Sequence, residues 1–242
     1  MSDAKRLLAA FGGSDAAYGT TNVGRRGKNG KTQAESRVVH GTLDEEKIQA
    51  HIDGKQGVGS IPINSSNDCK FGALDIDTYD LNLEALNQKV QAMKMPLILC
   101  RSKSGGAHLF LFLKDWEPAA LIREYLTEMS IALGHSGCEI FPKQDKILAE
   151  RGDVGNFINM PYYNAEETMR YAMDKKGNAM ELEQFLKAVD KARVSAADLD
   201  KLTFGGDRKH FTDGPYCLEV MASQGKIRDN RNITMFAVGV YC

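Results

Sequence analysis

The chain has 242 residues, 43% of them hydrophobic and 26% charged, which excludes a disordered polymer and allows one large domain or a domain with an appendage. Lys and Arg number 31 against 32 Asp and Glu, a net charge of -1, so a polybasic binder is excluded and any contact with nucleic acid needs a local basic surface. The five cysteines, Cys69, Cys100, Cys138, Cys217 and Cys242, are widely spaced and odd in number, which argues against a disulfide framework. In chain order, Lys5 and Arg6 precede Leu7 to Phe11, an apolar stretch too short for a signal peptide and read as a short amphipathic helix. Residues 12–36 are rich in Gly, Asn, Thr and basic side chains, show no period, and are expected to form a mobile loop or an irregular layer. A helix is expected over Leu43 to Ile52, opened by Glu45 and Glu46 and followed by Gly54.

Gly57 to Ile63 reads as a strand and Asn64 to Asp68 as a turn. From Phe71 to Asp77 the pattern alternates, with Ala73, Asp75 and Asp77 on one face and Leu74 and Ile76 on the other. A helix over Leu83 to Met93 should end before Pro96. Leu97 to Arg101, the turn Ser102-Lys103-Ser104-Gly105-Gly106, and Ala107 to Leu113 predict a hairpin. Pro118 to Leu133 is helical and Gly134 closes it; Cys138 to Phe141 and Phe157 to Met160 are short strands. Beyond about residue 180, Leu182, Phe185, Leu186 and Val189 recur at helical spacing. The mixture predicts an α+β fold around a partly antiparallel sheet, followed by helices. No apolar run approaches the ~20 residues of a membrane span, and a cytoplasmic location is expected.

Three constellations carry chemistry. Asp75-Ile76-Asp77 places two carboxylates about 6.6 Å apart along one strand face, where they repel unless a cation lies between them. A pair of divalent ions so held serves phosphoryl transfer. Ser104-Gly105-Gly106-Ala107-His108 offers backbone N–H groups and hydroxyls to a phosphate, with Arg101 and Lys103 alongside. Glu139, in the run Cys138-Glu139-Ile140-Phe141-Pro142-Lys143-Gln144, is a candidate third carboxylate, with Lys143 a candidate phosphate contact. Gly30-Lys31-Thr32 is not a P-loop, because Arg25 stands where the motif needs glycine. His135 and Cys138 have zinc-like spacing but no second pair, so no zinc site is expected. An Asp-x-Asp metal-dependent glycosyltransferase remains an alternative, as does a non-catalytic strand-binding module.

The ordered set Ala73 to Asp77, Ser104 to His108 and Cys138 to Gln144 resembles the three motifs of the archaeo-eukaryotic primase superfamily. The Phe-Pro-Lys-Gln extension and Gly155 to Tyr162 look most like primase-polymerases of phages and of TOTE-type mobile elements. The resemblance implies a catalytic domain over 1–178 with an RRM-like mixed sheet. Asp75, Asp77 and Glu139 would hold Mg²⁺ or Mn²⁺, and His108 would contact the triphosphate of an incoming nucleotide. Arg101, Ser104, Gly105, Gly106 and Lys143 would be further nucleotide contacts, and Tyr79 is a candidate for pressing on the sugar. Arg25, Arg26, Lys28 and Lys31 are candidates for contact with a single-stranded DNA template. Pro215 to Leu218, Gly225, Asn230 to Asn232 and Met235 to Ala237 resemble a helical PriCT module, making 179–242 a helical C-terminal region. Its end at Cys242 in mid-helix suggests a fragment of a longer protein that continues toward a helicase.

Overall fold

The computed structural model describes residues 1–26, 32–78 and 80–202, with 22–26 and 32–35 described by backbone alone. The first helix, α1 (Asp3–Ala10), starts where the Ser2 side chain accepts from the Lys5 N–H. It is followed by β1 (Ala17–Arg26) and β2 (Thr32–His40), which pair antiparallel from Ala17↔His40 to Arg26↔Thr32. This hairpin replaces the irregular layer expected over 12–36. The glycine that suggested a loop has another cause: a Cβ at Gly19 would lie 2.2 Å from the ring of Phe157, so the strand needs glycine for an aromatic side chain packed flat on it. Next come α2 (Glu45–Ile52), capped by Asp44, and β3 (Gly57–Ser60). One sheet has the order β2-β1-β3-β8, where β8 is Ile158–Asn159.

The second sheet is built from β4 (Asp68–Ile76), α3 (Leu83–Ala92), β5 (Leu97–Arg101), β6 (Ala107–Pro118), α4 (Ala119–Leu133) and β7 (Glu139–Phe141). Its order is β5-β6-β4-β7, so each helix crosses over a strand that enters from elsewhere in the chain. That is the split β-α-β-β-α-β arrangement of RRM-like domains. Every named strand pair is antiparallel, so the sheets are not mixed in direction, while the α+β class holds. α4 ends at Gly134, whose φ of 83° suits a residue without a Cβ.

Alternation along these strands separates two cores. Leu74, Ile76, Leu97, Leu99, Leu109 and Leu111 pack on the side of Leu86, Ile122 and Leu126 from α3 and α4. Phe71, Ala73, Ile98, Phe110 and Phe112 face the other way, onto Leu7, Phe11 and the helix α5 (Leu182–Ala192), followed by α6 (Ala196–Leu199). The free edge of β5 is covered by an extended segment, with Ala172 bridging Cys100 and the Arg101 N–H donating to the Tyr171 carbonyl at 2.9 Å. The expected PriCT-like helices lie outside the described residues.

Candidate functional site

The Phe-lined face of the second sheet is covered by α1 and α5 and becomes polar at the end of β4. Strand register decides what meets there. Asp75 pairs with His108 on β6 and with Glu139 on β7, and His108 pairs with Cys100 on β5. Directly opposed residues share a face, with Cβ atoms about 5 Å apart. Three residues distant in sequence therefore form one row, His108, Asp75, Glu139, and Asp77 lies two positions further along the same face.

Each acid has its own polar neighbour. His108 Nε2 lies 3.4 Å from Asp75 Oδ1, and the edge of the imidazole packs against Phe110 with centroids 5.8 Å apart. Ser104 Oγ donates to Asp77 Oδ1 at 3.0 Å and lies 3.1 Å from Ser102 Oγ. Glu139 is exposed and turned to Lys143, with Nζ 2.8 Å from Oε2, while Lys143 also sits 5.1 Å over the Phe141 ring. β7 is an edge strand of three residues, and its first side chain, Glu139, faces solvent.

The glycine turn has a structural basis in addition to any role toward a ligand. Gly105 has φ +95°, a region that favours glycine. A Cβ on Gly106 would stand 2.3 Å from the Ile76 carbonyl oxygen, so only glycine lets the turn close against the strand that carries both aspartates. Arg101 reaches back from the turn, donating Nη1 to the Met169 carbonyl at 3.2 Å. Lys143 lies across the acids from this turn, because β7 and the β5–β6 hairpin flank β4 on opposite sides. The expected phosphate contacts therefore form two groups.

A cleft of about 260 Å³ opens beside the acids, lined by Asp75, Asp77, Thr78, His135, Cys138 and Glu139 among others. His135 and Cys138, which the sequence shows only as a zinc-like spacing, are brought to the rim of this cleft by the turn after α4. Burial, then the Asp75 carboxylate, pushes the Cys138 thiol up to about 11, so it stays protonated at neutral pH. His135 is held below the ordinary imidazole range by burial and by the Lys89 ammonium. Of the remaining candidates, Tyr79, Lys28 and Lys31 lie outside the described residues, and Arg25 and Arg26 end β1. Among the described residues no helix is long and apolar enough to cross a membrane.

Known proteins bear on this arrangement in three ways. No curated protein matches the chain. Among solved structures, the AEP domain of the primase-polymerase of cyanophage S-2L is similar to 72% of this chain and 89% of that one, with 12% identity and a TM-score of 0.37. Residues 17–201 match the archaeo-eukaryotic primase domain of the TOTE conflict system. That span takes in both sheets, the row of acids and α5, and the chain belongs to this family of primase-type domains.

Proposed function

We propose that this protein is a primase-polymerase, joining nucleotides from (d)NTPs on a single-stranded DNA template. The observation that carries the reading is the row His108, Asp75, Glu139, with Asp77 beyond it, beside the glycine turn. The glycosyltransferase alternative has no support once the family is known.

Divalent metals are general in this family, and the fit of these residues to such ions is one of donor type and face. Asp75 and Asp77 offer hard oxygen donors of the kind Mg²⁺ and Mn²⁺ prefer. Among the described residues no three His, Cys, Asp or Glu side chains are gathered closely enough to enclose an ion. Glu139, now paired with Lys143, would be the third donor if its exposed side chain turned away from that lysine. A bound ion would lower the pKa of the attacking hydroxyl and neutralise charge on the leaving pyrophosphate.

The protein's own groups do the rest. A 3′-hydroxyl gives up its proton to solvent as its oxygen bonds to the α-phosphorus, the bridge from that phosphorus to the β-phosphate breaks, and pyrophosphate carries away the electron pair. His108 Nε2, now directed at Asp75, is positioned to donate to a phosphate oxygen, and Ser104 Oγ and the turn's N–H groups add donors. Lys143, released from Glu139, adds a cation on the far side. Arg25, Arg26, Lys28 and Lys31 are assigned to template backbone contact and Tyr79 to the sugar, and a helicase is the expected partner. The test incubates the protein with unprimed single-stranded DNA, Mn²⁺ or Mg²⁺ and labelled nucleotides. Templated products are expected, with at least a ~10³-fold loss in Asp75→Asn and in Asp77→Asn. Activity within tenfold of wild type in either variant overturns the assignment.

A further inference from the structure

At the edge of the second sheet farthest from β7, between α3 and α5, lies a groove of about 490 Å³, in the size range of ligand-binding clefts. Its walls are two helices. Asn87 and Gln91 stand one turn apart on α3, and Ala188, Lys191 and Ala192 share one face of α5. α3 belongs to the leucine side of the sheet and α5 to the phenylalanine side, so the floor between them is the start of β5, with Met95, Pro96, Leu97 and Ile98. The segment that covers this strand leaves it early: the Met173 N–H donates to the Leu99 carbonyl at 2.9 Å, but the Asp174 N–H turns back to the Asn178 carbonyl at 2.8 Å. Only Leu97 and Ile98 of β5 are left beyond it, too few residues for strand addition.

The groove has an apolar base and a cationic rim. Met95, Met173 and Met180 line it, and methionine adapts well to varied apolar partners. Alanine at 188 and 192 keeps the α5 wall low. Lys94, Lys175 and Lys191 also line it, and all three are exposed. Lys114, Lys143 and Lys187 are exposed elsewhere and each is paired with a carboxylate, whereas among the described residues no acid pairs with any of the three lysines at the groove. The one carboxylate among the described lining residues, Asp174, is engaged by its own turn, accepting from the Lys176 and Asn178 N–H groups at 2.8 Å. None of these lining residues is aromatic, so a base has nothing to stack on. Lysines around methionines suit carboxylates around apolar side chains better than a nucleic-acid strand.

We propose that this groove docks an amphipathic helix of a partner protein, one whose apolar stripe fills the methionine-lined base while flanking Asp or Glu side chains meet Lys94, Lys175 and Lys191. Two helices walling an apolar channel receive a third through side chains at i, i+3, i+4 and i+7. The groove is separate from the acids: Leu97 lies three residues, about 10 Å along β5, from Cys100, which is level with His108. A partner seated there need not touch the acid row, and the proposal does not rest on the polymerase reading.

The test titrates the full chain with a labelled designed peptide of about 14 residues, with leucines at i, i+3, i+4 and i+7 and glutamate and alanine elsewhere, near the length at which an isolated helix begins to form. A scrambled peptide of the same composition keeps the charge and breaks the stripe. Saturable binding of the patterned peptide is expected by fluorescence anisotropy, with the scrambled one about tenfold weaker or worse. The triple variant Lys94→Glu, Lys175→Glu, Lys191→Glu should weaken the patterned peptide about tenfold, and Ala188→Leu, which fills the groove, by a similar factor. No binding by wild type, equal binding of the scrambled peptide, or an affinity within twofold of wild type in the triple variant overturns the proposal. So does a loss of oligothymidylate binding or of self-association in that variant in place of peptide binding, which would assign the lysines to a nucleic-acid strand or to a second copy of this chain. Should the triple variant not fold by circular dichroism, Ala188→Leu decides by the same twofold criterion.

Discussion

The carbonyl of Ile76 lies between the two aspartates in sequence and touches the turn that faces them. Gly106 is the contact point, and alanine there would put a Cβ 2.3 Å from that backbone oxygen, which cannot rotate away as a side chain would. Either the turn or the end of β4 must shift. Overpacking of this kind costs about 1–3 kcal/mol. Gly106→Ala is therefore expected to lower the Tm by about 2–10 °C in thermal unfolding, and to loosen the Ser104–Asp77 hydrogen bond. An unchanged Tm would mean that the turn closes with more room than the structure gives it. At this scale the sequence was informative about the acids: a carboxylate at every second position of an apolar strand stands out against its neighbours. Arg170 carried no such signal. Its burial follows from the docking of Tyr171 to Met173 on the edge of β5, and two or three extended residues mark no period. Glu139 was legible as a residue but not as a side chain, because its pairing with Lys143 depends on an edge strand only three residues long.

Helices and strands in the central part of the chain are close to those the hydrophobic pattern predicts, from the helix before Gly54 to the one closed by Gly134. The first hairpin is not legible, since a Gly- and Thr-rich composition reads as a loop, whereas Gly19 and Gly59 make room for the Phe157 ring. Nor does periodicity reveal that α1 and α5 cover the same face of the second sheet. Phe11 joins them. It is 1% exposed, packs edge-on against Phe71, Phe110 and Phe112 with centroids 5.0–5.4 Å apart, and lies 6.5 Å from Phe185 of α5. Removing a ring with this many partners leaves a cavity among rigid neighbours, at a cost of about 3–5 kcal/mol. Phe11→Ala should lower the denaturant midpoint accordingly with little change in slope. A loss below about 1 kcal/mol would show that α1 is dispensable to the core, contrary to its packing.

At the scale of the whole molecule, one buried histidine ties α2 to β3 and to the segment after β8, and makes stability depend on pH. His51, at the end of α2, is fully buried; its Nδ1 accepts from the Val58 N–H at 3.0 Å and its Nε2 donates to the Pro161 carbonyl at 2.9 Å. Helix, first sheet and the strand leading to the Arg170 segment thus meet on one neutral ring. Burial, aided by the Arg170 charge and opposed by the Pro161 carbonyl, lowers its pKa from 6.5 to about 4. The unfolded chain takes up this proton as pH falls through about 6.5, while the folded chain resists until about 4. Protonation therefore favours unfolding: the stabilisation is complete above pH 6.5 and is lost as pH falls toward 4. The shift corresponds to about 3 kcal/mol in full, of which about 2 kcal/mol should disappear between pH 7 and pH 5. Half-buried His135, lowered in the same direction, adds to this slope. Denaturant melts of wild type and His51→Gln at pH 7, 6 and 5 test it: the variant should be less stable at pH 7 and lose distinctly less on acidification. Parallel losses in the two proteins would show that His51 is not the group whose protonation opens the fold.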